Sequence, residues 1–169
     1  YPLFIIFGEK LRIFMQHYNV FIQKEQTGAV VKETVADFDV WCASIPFDIG
    51  MEVKEPVVRD WKDENGEDAY LGDSLKFAAY DMTVKWCCKG DKFSANAVIR
   101  KFLNYLSGRD GSGMKMKMYC DWTKVGRRHI RLKKVSDDAD LHRDDEGDVV
   151  TFSTVLRVED PVTEVTLSK

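Results

Sequence analysis

The densest chemistry in the sequence is the run GRRHIRLKK, Gly126–Lys134, with six basic or potentially basic side chains in nine residues. Laid out as a strand, Arg127, His129, Arg131 and Lys133 share one face, while Ile130 and Leu132 point the other way. Lys115 and Lys117 extend that face if the preceding strand joins it by a hairpin through DWTKVG. Such a surface can neutralise phosphates, or it can meet the carboxylates of a protein. Single-strand binders interleave aromatic platforms with their cations, and only Tyr119 is placed to be one. The whole chain carries a net charge of −3, so the basic run is local, whereas a nucleic-acid-coating protein usually has a basic total. A protein partner is therefore the favoured reading. A small nucleic-acid-binding β-domain using Gly126–Lys134 is the alternative.

Complementary charge is present in the same chain. Asp137, Asp138, Asp140, Asp144, Asp145, Glu146 and Asp148 crowd one segment, and Asp60, Asp63, Glu64, Glu67, Asp68 and Asp73 another. One basic face and two acidic segments suit contacts between copies, although solvated charges balanced within one chain would give the same pattern. Trp61 and Tyr70 lie among the second set of acids and are candidate anchors for an adjacent subunit, with Asp63 and Glu64 beside them.

Catalytic and cofactor signals are weak. His17, His129 and His142 are the only histidines, in no metal-ligand spacing, and no G-x-S-x-G elbow occurs. SGRDGSGMK follows a helix and precedes a strand, the reverse of the order that aims amides at phosphate, so it reads as a helix cap and turn. The acidic run lacks calcium-loop spacing, leaving at most a weak cation site. Cys42, Cys87, Cys88 and Cys120 form no C-x-x-C pair and read as small core hydrophobes. The expectation is a non-enzyme with no cofactor and no metal.

These residues need elements to hold them. SANAVIRKFLNYLSG is the one helix, with Ser94 as N-cap, Gly108 as C-cap and a stripe of Ala95, Val98, Ile99, Phe102, Leu103 and Leu106. Strand alternation appears in YDMTVKWCC, where Tyr80, Met82, Val84, Trp86 and Cys88 share a face. It appears again in GMKMKMYC (Met114, Met116, Met118, Cys120) and in DVVTFSTVLRV (Val150, Phe152, Thr154, Leu156, Val158). Shorter candidate strands are Tyr18–Gln23, Val35–Cys42 and Thr163–Leu167. The fold class is mainly β, an antiparallel β-sandwich or small barrel with one packed α-helix. Residues 52–73 insert a long hairpin or loop with Asn65-Gly66 as its turn signal.

At 169 residues, 44% hydrophobic and 31% charged, the chain suits one domain with a real core. Residues 1–14 read as an N-terminal extension outside that domain, and 15–169 as the domain itself. The apolar run Leu3–Phe7 is too short for a secretory core or a membrane span, and the absence of an N-x-S/T sequon fits an intracellular product.

The order of the second half carries a resemblance. DMTVKWCCKG, the helix, MKMKMYC, a hairpin turn, GRRHIRLKKVS, an acidic loop and VVTFSTVLRVEDP follow one another. Over roughly residues 30–167 this resembles the ring-forming N-terminal domain of phage distal tail proteins and the related tail-tube fold, including prophage tail proteins. The resemblance implies a structural, non-catalytic subunit of an oligomeric, hexameric ring. Its partners would be itself and adjacent tail proteins, and its place the bacterial cytoplasm and then the virion tail. As a departure from that family, no C-terminal carbohydrate-binding or adhesin-like domain is expected after the Asp-Pro strand. Under this reading the basic row Arg127, His129, Arg131 and Lys133 meets an acidic rim from another copy.

Overall fold

Alternating apolar residues along four long segments can be satisfied only by a sheet whose inner face is covered. The computed structural model describes residues 19–46, 51–89, 94–135, 139–144 and 147–169. The extension at 1–14 lies outside the described residues, as do Asp137, Asp138, Asp145 and Glu146 of the acidic run. In chain order the elements are β1 (Val20–Lys24), β2 (Lys32–Glu33), α1 (Thr34–Phe38), β3 (Val40–Ser44), β4 (Val57–Arg59) and β5 (Asp68–Tyr70). They continue with β6 (Tyr80–Lys89), α2 (Ser94–Ser107), β7 (Met116–Cys120), β8 (Val125–Val135), β9 (Asp140–Asp144) and β10 (Gly147–Val158). The fold is mainly antiparallel β with one substantial helix. A single eight-stranded sheet runs β2-β1-β7-β8-β10-β6-β3, with β9 paired to β10, and curls into a half-barrel. β4 and β5 form a separate two-stranded ladder.

The inner face is the one the alternation marks. Val84, Trp86 and Cys88 of β6, Phe152, Leu156 and Val158 of β10, and Met116 and Met118 of β7 are buried there with Val20, Ile22 and Ile130. Helix α2 closes this face. Phe102 stands edge-on to Trp86 at 5.0 Å between ring centroids, and to Phe38 of α1 at 5.5 Å. Edge-to-face contacts of this kind add to the apolar area they bury. Thr154, the one polar member of the inward set of β10, accepts a hydrogen bond from Trp86 Nε1 at 2.8 Å, so no buried hydroxyl is stranded there. Gly108 takes φ 73 just past the helix, the left-handed cap expected of it.

The C-terminal end of α2 is held from the sheet. Lys24 points inward from β1, is buried, and donates from Nζ to the carbonyls of Gly113 (2.8 Å) and Leu106 (3.5 Å). Its ammonium also lies 4.6 Å from the centroid of the Tyr105 ring. A cation at this end of a helix meets the negative end of the macrodipole. Burial pulls the Lys24 amine down to about 8, against a smaller upward pull from Asp110.

Several elements differ from expectation. Val35–Cys42 is not one strand: Thr34–Phe38 forms α1, Asp39 turns the chain at φ 55, and only then does β3 begin. Thr163–Leu167 is not a strand either, and it contributes only an isolated bridge between Arg127 and Glu164. The acidic connection contains β9, which pairs with the first half of β10. Met114 lies outside β7 and is exposed, because β7 begins only at Met116. Tyr105, outside the predicted helix stripe, is buried against Phe38 at 4.9 Å.

Candidate interaction surface

The outer face of the sheet gathers most of the sequence-predicted basic residues, but not as a free row. Arg131 and Arg157 sit directly opposite each other on β8 and β10, a like-charge pairing that costs stability unless anions relieve it. Two carboxylates do so. Glu159 binds Arg131 at 3.0 Å and Lys115 at 2.7 Å, and Asp81 binds Arg157 at 3.0 Å and Lys133 at 2.5 Å. Hydrogen bonds from Lys133 and Arg157 hold the Asp81 carboxyl below its usual range, and those from Lys115 and Arg131 do the same for Glu159. Each carboxylate serves two cations, so the strip stays net positive. Lys85 and Lys117, which point to this same face, form no ion pair among the described residues.

At one margin two further contacts form. Arg128 pairs with Asp160 at 2.6 Å. Partial burial works to raise Asp160, but hydrogen bonds from Arg128, Thr163 and Val162 outweigh it and hold the carboxyl well below the carboxylate range. His129 binds Glu25 twice, through its backbone N–H and through Nδ1, each at 2.7 Å.

Arg127 does not belong to the outer row. Met116 pairs with Ile130 but Met118 pairs with Arg127, so Lys117 faces both Arg128 and His129 across a bulge. His129 takes φ 53 at that point. The extra residue reverses the parity of β8, and Arg127 falls in register with buried Met118. Its side chain is buried, donates to the Gly126 carbonyl at 3.0 Å, lies 3.9 Å from Glu164 and leaves Nε without a partner. A second bulge follows between Leu132 and Lys134, with Lys133 as the extra residue, and both Arg131 and Lys133 reach the outer carboxylates. Tyr119, the one aromatic proposed for this face, is buried and stacked on Phe21. The C-terminal segment crosses beside it: a Cβ on Gly126 would fall 1.7 Å from the Val165 carbonyl oxygen.

The second feature is the insertion. Residues 52–73 are neither a loose loop nor a plain connection. They form most of one long hairpin, with hydrogen bonds Lys54 N–H to Lys76 O and Ala78 N–H to Glu52 O at its root and β4 on β5 beyond. Asn65 and Gly66 lie in the tip, where Gly66 takes φ 92. Among the described residues β4 and β5 pair with no other strand, and every residue from 52 to 76 is exposed. Among them are Val57 (75%), Trp61 (50%), Tyr70 (80%), Leu71 and Leu75. Half of the Trp61 surface is open to solvent. Its neighbours Asp63 and Glu64 lie in the same exposed tip.

No group of His, Cys, Asp or Glu that could hold a metal occurs among the described residues. No described helix is long and apolar enough to cross a membrane. The four cysteines are buried and free; the Cys42 thiol is pushed up to about 12 and Cys88 to about 11 by burial. The sequence matches no protein-family model and no curated protein, so function has to be read from this surface.

Proposed function

We propose that the chain is a structural assembly subunit that joins further copies of itself through the β4–β5 arm, in the manner of a ring-forming phage or prophage tail component. The observation that carries the reading is the arm. A two-stranded hairpin is marginal alone in water, and this one holds Trp61, Tyr70, Val57 and Leu71 in the open, with no layer of the described chain over them. Exposed apolar side chains rimmed by charge mark surfaces that bind protein. The resemblance in element order adds the ring and the tail. The curled sheet with one packed helix suits that role, because β3 and β2 end it with edges that neighbours can approach.

The experiment is solution mass by light scattering across protein concentration at low salt. A discrete oligomer, or growth toward stacked rings, is the expected result, and Trp61→Ala with Tyr70→Ala should return it to monomer. A monomer at every concentration overturns the reading. The nucleic-acid alternative is the less favoured of the two, because Tyr119, the one aromatic proposed as a stacking platform there, is buried. Binding of a labelled single-stranded oligonucleotide that weakens steeply with salt would restore it.

A further inference from the structure

We infer that the acidic tip of one copy's arm docks on the basic strip of the next copy, a head-to-tail contact between two different surfaces of the same chain. This rests on the reading of the arm as the assembly element and names what the arm meets.

The charges on the two surfaces are complementary. Between residues 59 and 68 the arm carries Asp60, Asp63, Glu64, Glu67 and Asp68 against only Arg59 and Lys62. Across β6, β10, β8 and β7 the outer face carries Lys85, Arg157, Arg131, Lys133, Lys115 and Lys117 against only Asp81 and Glu159. Asp140, opposite Thr151 at the far end of β10, and the Arg128–Asp160 and His129–Glu25 contacts bound this strip. Within the strip the two carboxylates are already shared. Further anions can therefore be received without displacing an existing partner, first of all at Lys85 and Lys117.

The geometry requires the acceptor to be another molecule. The hairpin is paired from its root at Glu52 and Ala78 out to Arg59 and Asp68, a reach on the order of 25 Å at ~3.3 Å per residue. Its tip is fully exposed and so does not lie on its own strip. A donor patch and an acceptor patch that differ make a heterologous contact, which closes into a ring or propagates as a filament. Fixed opposite charges would set the register and speed the encounter, and the exposed Trp61 at the tip would supply the apolar anchor.

The test uses charge reversal in the full chain. One variant carries Asp63→Lys and Glu64→Lys. The other carries Lys85→Glu and Lys117→Glu, positions in no ion pair among the described residues, so that the fold is left alone; circular dichroism and thermal melting check both. Each variant alone should associate at least about tenfold more weakly than the parent chain, because the altered tip is repelled by the basic strip and the altered strip no longer attracts the acidic tip. Mixed in equal amounts they should associate again, since the unaltered acidic tip of one variant still fits the unaltered basic strip of the other. Raising salt should dissociate the parent assembly. If both variants assemble like the parent while Trp61→Ala with Tyr70→Ala falls apart, the strip is not the acceptor, and the arm reading survives without it. Failure of the mixture to recover also overturns the head-to-tail contact. A parent chain that stays monomeric overturns this contact and the assembly reading together.

Discussion

Trp86 and Trp61 stand in opposite surroundings. Trp86, on β6 of the main sheet, is fully buried, walled by Phe102 and tied to Thr154, whereas half of Trp61, in the tip of the β4–β5 arm, faces solvent. What separates the main sheet from the arm is a second layer. Helix α2 lies over the inner face of the one, and nothing in the described chain lies over the other. Burial of apolar area is what stabilises a sheet, so the main sheet is covered within the described chain and the arm is left uncovered by it.

The sharpest way to break the comparison is to hollow the covered side. Phe102→Ala removes the ring that meets Trp86, Phe38 and Phe152, and denaturant unfolding should show a loss of about 3–5 kcal/mol. Gly126→Ala comes next. Its new methyl would collide with the Val165 carbonyl, so the tail must lift, with a loss of about 1–3 kcal/mol and faster proteolysis of the last residues. The Lys24 amine sharpens the contrast by titration. Its folded value, about 8, lies below the ordinary 10.5, so between those values the unfolded chain holds the proton more than the folded one. Its contribution to stability should therefore rise with pH across that window, and Lys24→Met should flatten the trend in melts taken from pH 7.5 to 10.5. Smallest is Trp61→Ala, which should change monomer stability by no more than about 0.5 kcal/mol, while assembly falls in the same sample. A large loss of monomer stability there would mean that the arm packs on its own chain after all.

Much of the covered side was legible from period alone. α2, β6, β7 and β10 show unbroken periodicity because one face of each meets the same core, and the inward set of β10 is the one the alternation marks. The arm was legible from its charge density and its Asn-Gly turn signal. The errors sit where period-two reading has no information. The bulges of β8 change the parity mid-strand, which moved Arg127 from the outer row to the interior. α1 was hidden because Val35 and Phe38 fit a strand as well as a helix, and only Asp39 in a left-handed conformation separates it from β3. The strip's ion pairs were beyond reach for another reason. Asp81 meets Arg157, and Glu159 meets Lys115, across long stretches of sequence, and only sheet order brings them together. Lys24 gave no signal either, since a lysine in an alternating strand reads as solvent-facing.

The four buried thiols give the molecule an internal clock. Cys42, Cys87, Cys88 and Cys120 lie on β3, β6 and β7, and those of Cys42 and Cys88 resist ionisation, so an alkylating reagent can reach them only when those strands part. The arm carries no cysteine. Labelling rates would then time the opening of the sheet and be blind to the arm docking or leaving. Labelling read beside solution mass would tell a subunit that has come apart from one that has merely come loose.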